Sequence, residues 1–149
     1  MSVASPSPLT HDRMARVEKW RFKQFTLKAN ETAYKGGLAV LKQSDGKAYA
    51  GVAGTGYVVL GLFAETKSST SDTTVNVDLL EEKTLVWLAN PSSSSDGVAA
   101  TDFGKVCYFN DDNSVTMSSS SKSIAGLVWG VDSNLGALVE LGKGIAKAS

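Results

Sequence analysis

The residues of this chain able to do chemistry are few and scattered. It holds one histidine, His11, and one cysteine, Cys107. General acid–base and nucleophilic catalysis usually recruit a base poised near neutral pH, most often histidine. His11 lies in the N-terminal stretch, so a Ser–His–Asp or Cys–His site would require that stretch to fold back over the remainder. Cys107 alternates with Val106 and Tyr108, which predicts a strand and a core thiol rather than a nucleophile. Gly51-Val52-Ala53-Gly54-Thr55-Gly56 runs in the reverse sense to a dinucleotide-binding GxGxxG, and a strand pattern follows it. No helix N-terminus is there to hold an anion, so a glycine-rich turn is expected. Asn110-Asp111-Asp112-Asn113 lacks the alternate ligands, the sixth-position glycine and the twelfth-position acid of an EF-hand. Asx side chains bond their own backbone in tight turns, so a hairpin tip is expected, with a non-EF calcium site at Asp111 and Asp112 as the alternative. Glu81 and Glu82 are adjacent and point to opposite faces, which separates them as a catalytic pair. The expectation is a protein without catalytic residues, metal or cofactor, not an enzyme.

One stretch has the composition of a contact element. Residues 1–23 form an N-terminal arm that opens with Ser5-Pro6-Ser7-Pro8, which disfavours helix, before Thr10 offers a cap for a short helical turn. From Arg13 to Lys23 come Arg13, Arg16, Lys19, Arg21 and Lys23 against the single acid Glu18, with Trp20, Phe22 and Phe25 interleaved. Either the aromatics pack on the domain's own edge, or the segment orders against a partner and brings anchors and arginines to an acidic surface. On the second reading the partner-binding residues are Arg13, Arg16, Trp20, Arg21, Phe22 and Lys23. Twenty extended residues reach about 65–70 Å, which suits a clasp better than a lid.

The elements that must position anything else are strands. "KQFTLKA" alternates Phe25 and Leu27 with polar residues. "GGLAVLK" and "KAYAGVA" flank Gln43-Ser44-Asp45-Gly46, a hairpin signal. "GYVVLGLFAE" is continuously apolar, as in a strand covered on both faces. "TTVNVDLL" sets Val75, Val77 and Leu79 opposite Asn76 and Asp78, and "KTLVWLAN" stops at Asn90-Pro91. "KVCYFNDDNSVTM" and "SKSIAGLVWGVDSNLGALVEL" read as two more hairpins, turning at 110–113 and at 132–136. The pattern predicts an all-β fold, a compact antiparallel β-sandwich or barrel over residues 24–141 with an extended arm before it and a short tail, 142–149, after it. No fixed-period repeat is found. The Ser/Thr-rich stretches 66–74, 92–97 and 118–123 are expected as solvated loop tips. Trp87 and Trp129, both inside apolar runs, are expected in the core.

Composition agrees with a single globular domain. Apolar residues make up 42% of the 149, charged residues 20%, and the formal net charge is zero, which gives no overall field for nucleic acid. A lone cysteine allows no internal disulfide, so stability must come from packing or association. Residues 1–20 lack the apolar stretch of a secretory signal, and no run approaches a membrane span, so synthesis in a cytoplasm is expected.

A family resemblance adds to this reading. "AATDFGKVCYFNDDNSVTMSSSSKSIAGLVWGVDSNLGALVEL" resembles the C-terminal half of capsid decoration, or cement, proteins of tailed bacteriophages. The match lies in Gly104, Lys105, Val106 and Tyr108, the turn from Asp111 to Val115, then Ala125-Gly126-Leu127-Val128, Val131-Asp132, a glycine turn and a closing Val-Glu strand. "YKGGLAVLKQSDGKAYAGVAGTGYVVLGLFAE" is similar to the family's N-terminal half. The resemblance spans about residues 24–141 and implies a structural virion protein without catalytic residues. It implies a homotrimer on the outer capsid surface that binds the major capsid protein and reinforces the shell, without touching nucleic acid or membrane. The arm matches no family motif; its assignment to capsid contact rests on its composition. Two alternatives stay open: another virion subunit, such as a tail tube or fibre base, and a carbohydrate-binding β-domain with Trp87 or Trp129 as platform.

Overall fold

Tight turns divide the chain into strands. The computed structural model describes residues 22–80, 84–91 and 96–142. Strands β1 (Phe22–Leu27), β2 (Thr32–Ala33), β3 (Leu38–Lys42), β4 (Ala48–Ala50), β5 (Tyr57–Phe63), β6 (Lys67–Ser68) and β7 (Thr73–Leu79) form the first half. Strands β8 (Leu85–Leu88), β9 (Val106–Phe109), β10 (Val115–Thr116), β11 (Ile124–Asp132) and β12 (Gly136–Leu141) form the second, with one 3-10 turn at Ala100–Asp102. No α-helix occurs among the described residues. The fold is all-β, as the alternation in the sequence requires.

The hairpin tips are built as their residue types demand. At 132–136, the Asp132 carboxylate accepts the backbone N–H groups of Asn134 and Leu135. Gly136 closes that turn with φ +100, and a side chain there would run into the Leu88 carbonyl. At 110–113, Asp111 accepts the Asn113 N–H at 2.8 Å, an Asx turn. At 43–46, Asp45 accepts the Lys47 N–H and the Tyr49 hydroxyl, which locks the β3–β4 hairpin.

The strands close into two units of the same design. The first is a closed barrel in the order β1-β4-β3-β5-β7, antiparallel throughout except where β1 meets β4 in parallel at Leu27 and Ala48. The second is a five-stranded sheet in the order β10-β9-β11-β12-β8. Its two edges are joined by a parallel bridge between Ala89 and Ser114, so it closes as well. Taken in chain order, the first strand lies beside the third in both units and the remaining neighbours also correspond. Registers agree to the residue. Gly61 pairs with Ala39 and Leu79 next to a bulge at Leu60; Gly126 pairs with Cys107 and Leu141 next to a bulge at Ala125. The Gly36 N–H donates to Phe63 O and the Phe63 N–H to Gly37 O, as Gly104 and Val128 do with Val128 and Lys105. The chain is therefore an internal duplication, with "GGLAVL" matching "GKVCYF", "VLGLF" matching "IAGLV" and "VDL" matching "VEL". Unequal loops shift the two halves against each other, which is why no fixed period shows in the sequence.

Packing follows from strand alternation. The first barrel fills its interior with Leu27, Ala39, Ala48, Phe63, Val75 and Val77. Its outer face presents Leu38, Val40 and Val59, which join Phe109, Val128, Val139 and others of the second barrel in a common core. β5 is thus covered on both sides, as its unbroken apolar run implies. The join is also polar: Leu38 N–H donates to Asp112 O, and Ser123 Oγ donates to Gly54 O at 2.6 Å and accepts the Tyr57 N–H. Two findings depart from the sequence reading. β6 falls inside the stretch 66–74 read as a loop tip and pairs with β2. Ser123, the end of another such stretch, is buried at the join.

Candidate interaction surface

The outer face of the second barrel is assembled from β9, β11, β12 and β8. Cys107 and Phe109 point inward from β9, so Val106 and Tyr108 point outward. Val106, Leu127, Glu140 and Leu85 stand in register across the four strands, and Gly130, Leu138 and Trp87 form the next row. Trp129 occupies the register break between Val128 and Gly130. Its indole N–H donates to Glu140 Oε1 at 2.9 Å, and Phe103 meets the ring edge-on with centroids 5.8 Å apart.

The two tryptophans are not core residues. Trp87 is 39% exposed and Trp129 37%, with Leu85 at 41% and Phe103 at 62% beside them. The expectation of core packing fails because an apolar run does not say whether both faces of its strand are covered. Val86 and Leu88 supply the inward set of β8, and alternation turns Leu85 and Trp87 out. A gathered aromatic surface of this kind marks a contact site more often than chance exposure does.

Of the residues assigned to partner contact, Arg13, Arg16, Trp20 and Arg21 lie outside the described residues, as do His11, Glu81, Glu82 and residues 143–149. Phe22 and Lys23 open β1, where they pair with Asp78 and Val77. Phe22 is 49% exposed, and the Lys23 ammonium sits 5.3 Å from the Phe25 ring centroid. Phe25 packs against the interior of the first barrel.

Cys107 is fully buried, and burial pushes its thiol up to about 12, so it stays protonated at neutral pH. The run from Gly51 to Gly56 is a turn between β4 and β5, and a side chain at Gly51 would sit 2.7 Å from Asp111 O. Asp112 faces a cleft of 340 Å³ lined by Tyr34, Lys35, Gly36, Gly37 and Asn113. Burial, then the neighbouring Asp111, raises its carboxyl above the ordinary value. Among the described residues no three His, Cys, Asp or Glu side chains gather as a metal site would need. No helix there is long and apolar enough to cross a membrane. Sequence reasoning missed Phe103, whose place beside Trp129 depends on the turn that ends at Asp102. No family model, curated protein or solved structure matches the chain.

Proposed function

We propose that this chain is a capsid decoration protein, a structural virion component that binds the major capsid protein on the outer surface of a phage head and reinforces it. The reading rests on the family resemblance in its strands and turns, and the observation that carries it furthest is the exposed surface of Leu85, Trp87, Phe103 and Trp129. Covering each of these side chains contributes about 1.5–3 kcal/mol at most, a modest gain per copy. Repetition over a lattice turns modest contacts into firm attachment. The basic, aromatic arm adds a second point of contact, and a protein of zero net charge crowds on a shell without self-repulsion.

Heads of the encoding virus that lack this protein, mixed with the purified chain and sedimented, test the reading. The chain should co-sediment and raise the temperature at which the heads rupture. Phe103→Ser combined with Trp87→Ser should weaken binding by tenfold or more, roughly 1.4 kcal/mol, and deletion of residues 1–21 tests the arm separately. Heads that neither bind the chain nor gain resistance would sink the proposal.

The exposed tryptophans favour one second reading, a carbohydrate platform. Glycan binding that disappears in Trp129→Ala while head binding persists would favour it over the first.

A further inference from the structure

We infer that the outer face of the second barrel around Val106, Tyr108 and Leu127 receives the β3–β4 turn of a second copy of this chain, in a head-to-tail contact that repeats the one inside the chain. The inference comes from the duplication and does not depend on the capsid reading. In the first barrel, Leu38 and Val40 of the outer face have no exposed surface, because the second barrel covers them; Val59 and its counterpart Ile124 are both buried, at 5% and 9%. The Leu38 and Val40 side chains join the core of the second barrel, and the β9–β10 turn ties down the backbone beside them. Asp112 O accepts the Leu38 N–H, and Asp111 bridges to Val52.

By register, Val106, Tyr108 and Leu127 are the counterparts of Leu38, Val40 and Leu62. Val106 and Tyr108 are half-buried, with no third barrel among the described residues to cover them, while Leu127 is half-buried as Leu62 is. The counterpart of the covering turn is 43–46 in the first barrel, anchored alike: Lys42 N–H donates to Lys47 O as Asn110 N–H does to Ser114 O. Ser44, Asp45 and Gly46 are exposed. Each copy therefore carries one face without its turn and one turn without its face.

One substitution sets the character of the contact. Gly37, which admits Asp112 closely, is matched by Lys105, which is exposed. A close backbone approach is blocked there, but Lys105, which pairs with Asp102 at 3.3 Å within the chain, lies where a turn carrying Asp45 would arrive; the Tyr49 hydroxyl holds that carboxyl below its ordinary value, so it is ionised. The intermolecular contact is looser than the internal one. Because face and turn are different surfaces, the contact is heterologous and propagates into a closed ring or a filament rather than a two-fold dimer.

The test uses two full-length variants, Tyr108→Lys on the face and Ser44→Arg on the turn, with Val106→Lys as a second face variant and thermal unfolding to verify that all stay folded. In sedimentation velocity the wild type should associate across the micromolar range, and each variant alone should associate at least about tenfold more weakly. A mixture of Tyr108→Lys and Ser44→Arg should form a dimer and go no further, since one sound face then meets one sound turn and the two remaining ends repel. A wild type that stays monomeric overturns the inference, as does a turn variant that still self-associates or a mixture that gives no dimer. A monomer that nevertheless binds phage heads would overturn this inference and leave the capsid reading intact; an oligomer that ignores heads would do the reverse.

Discussion

The two barrels share strand order, register and the bulge before the paired glycine, yet they use their outer faces differently. The first barrel spends its outer apolar face on the second, and Phe22, Tyr34 and Val52 are exposed elsewhere in its half of the chain. The second has no such neighbour among the described residues and leaves Leu85, Trp87, Phe103 and Trp129 exposed. Duplication of one design thus supplies cohesion in one copy and an open aromatic face in the other. What differs is position in the chain, not the folding pattern.

The comparison breaks most visibly at the paired glycines. A side chain on Gly61 would collide with the Asp78 carbonyl oxygen, and one on Gly126 with the Glu140 carbonyl oxygen. Gly61→Ala and Gly126→Ala should each cost on the order of 3 kcal/mol or prevent folding, as read by urea unfolding. Equal losses support the duplication; a silent substitution at either site would break it.

The outer faces give the next contrast. Leu38→Ala removes a side chain with no exposed surface from the common core and should cost about 2–5 kcal/mol. Val106→Ala, at the matching but half-buried position, should cost under about 1 kcal/mol in the isolated subunit. Comparable losses would mean that the second face is covered by its own chain after all. A device in the second half sharpens the comparison further. Asn90 donates to Val98 O and accepts the Val98 N–H, both at 2.8 Å, which fastens the loop before the 3-10 turn. Asn90→Ala should cost about 1–3 kcal/mol, measured by the same unfolding series.

The smallest expected effect lies at the join and has a sign that pH reveals. The Asp112 carboxyl is raised in the folded protein, so its charged form is disfavoured there. Its contribution is fully present below the unfolded carboxyl value and is lost as pH rises through the folded one. Asp112→Asn should therefore shift the unfolding midpoint slightly upward at neutral pH, and the gain should vanish in acid. A gain that grows on acidification would show the burial argument to be wrong.

Much of this fold is written locally. Asp45-Gly46, the Asx run 110–113 and Asp132 to Gly136 fix three hairpins, because those residues bond or bend their own backbone whatever surrounds them. The alternation around Val75, Val77, Cys107 and Phe109 fixes which side faces in. The contact surface was less legible. Trp87 and Trp129 sit in runs as apolar as that of β5, and nothing in the run tells a strand covered twice from one covered once. The duplication was half hidden for a related reason: matched residues are separated by loops of unequal length, which erase a period while leaving the register untouched.

The sequence by itself determined strand content, turn positions and the inward set of each strand, since these depend on neighbours within a few residues. Only the tertiary structure decided that the strands close into two like units and that Ser123 and Asp112 tie them together. It alone set Trp87, Phe103 and Trp129 on an open face. Those outcomes depend on which distant surface arrives to cover a strand, and burial is a property of that meeting rather than of the residues alone.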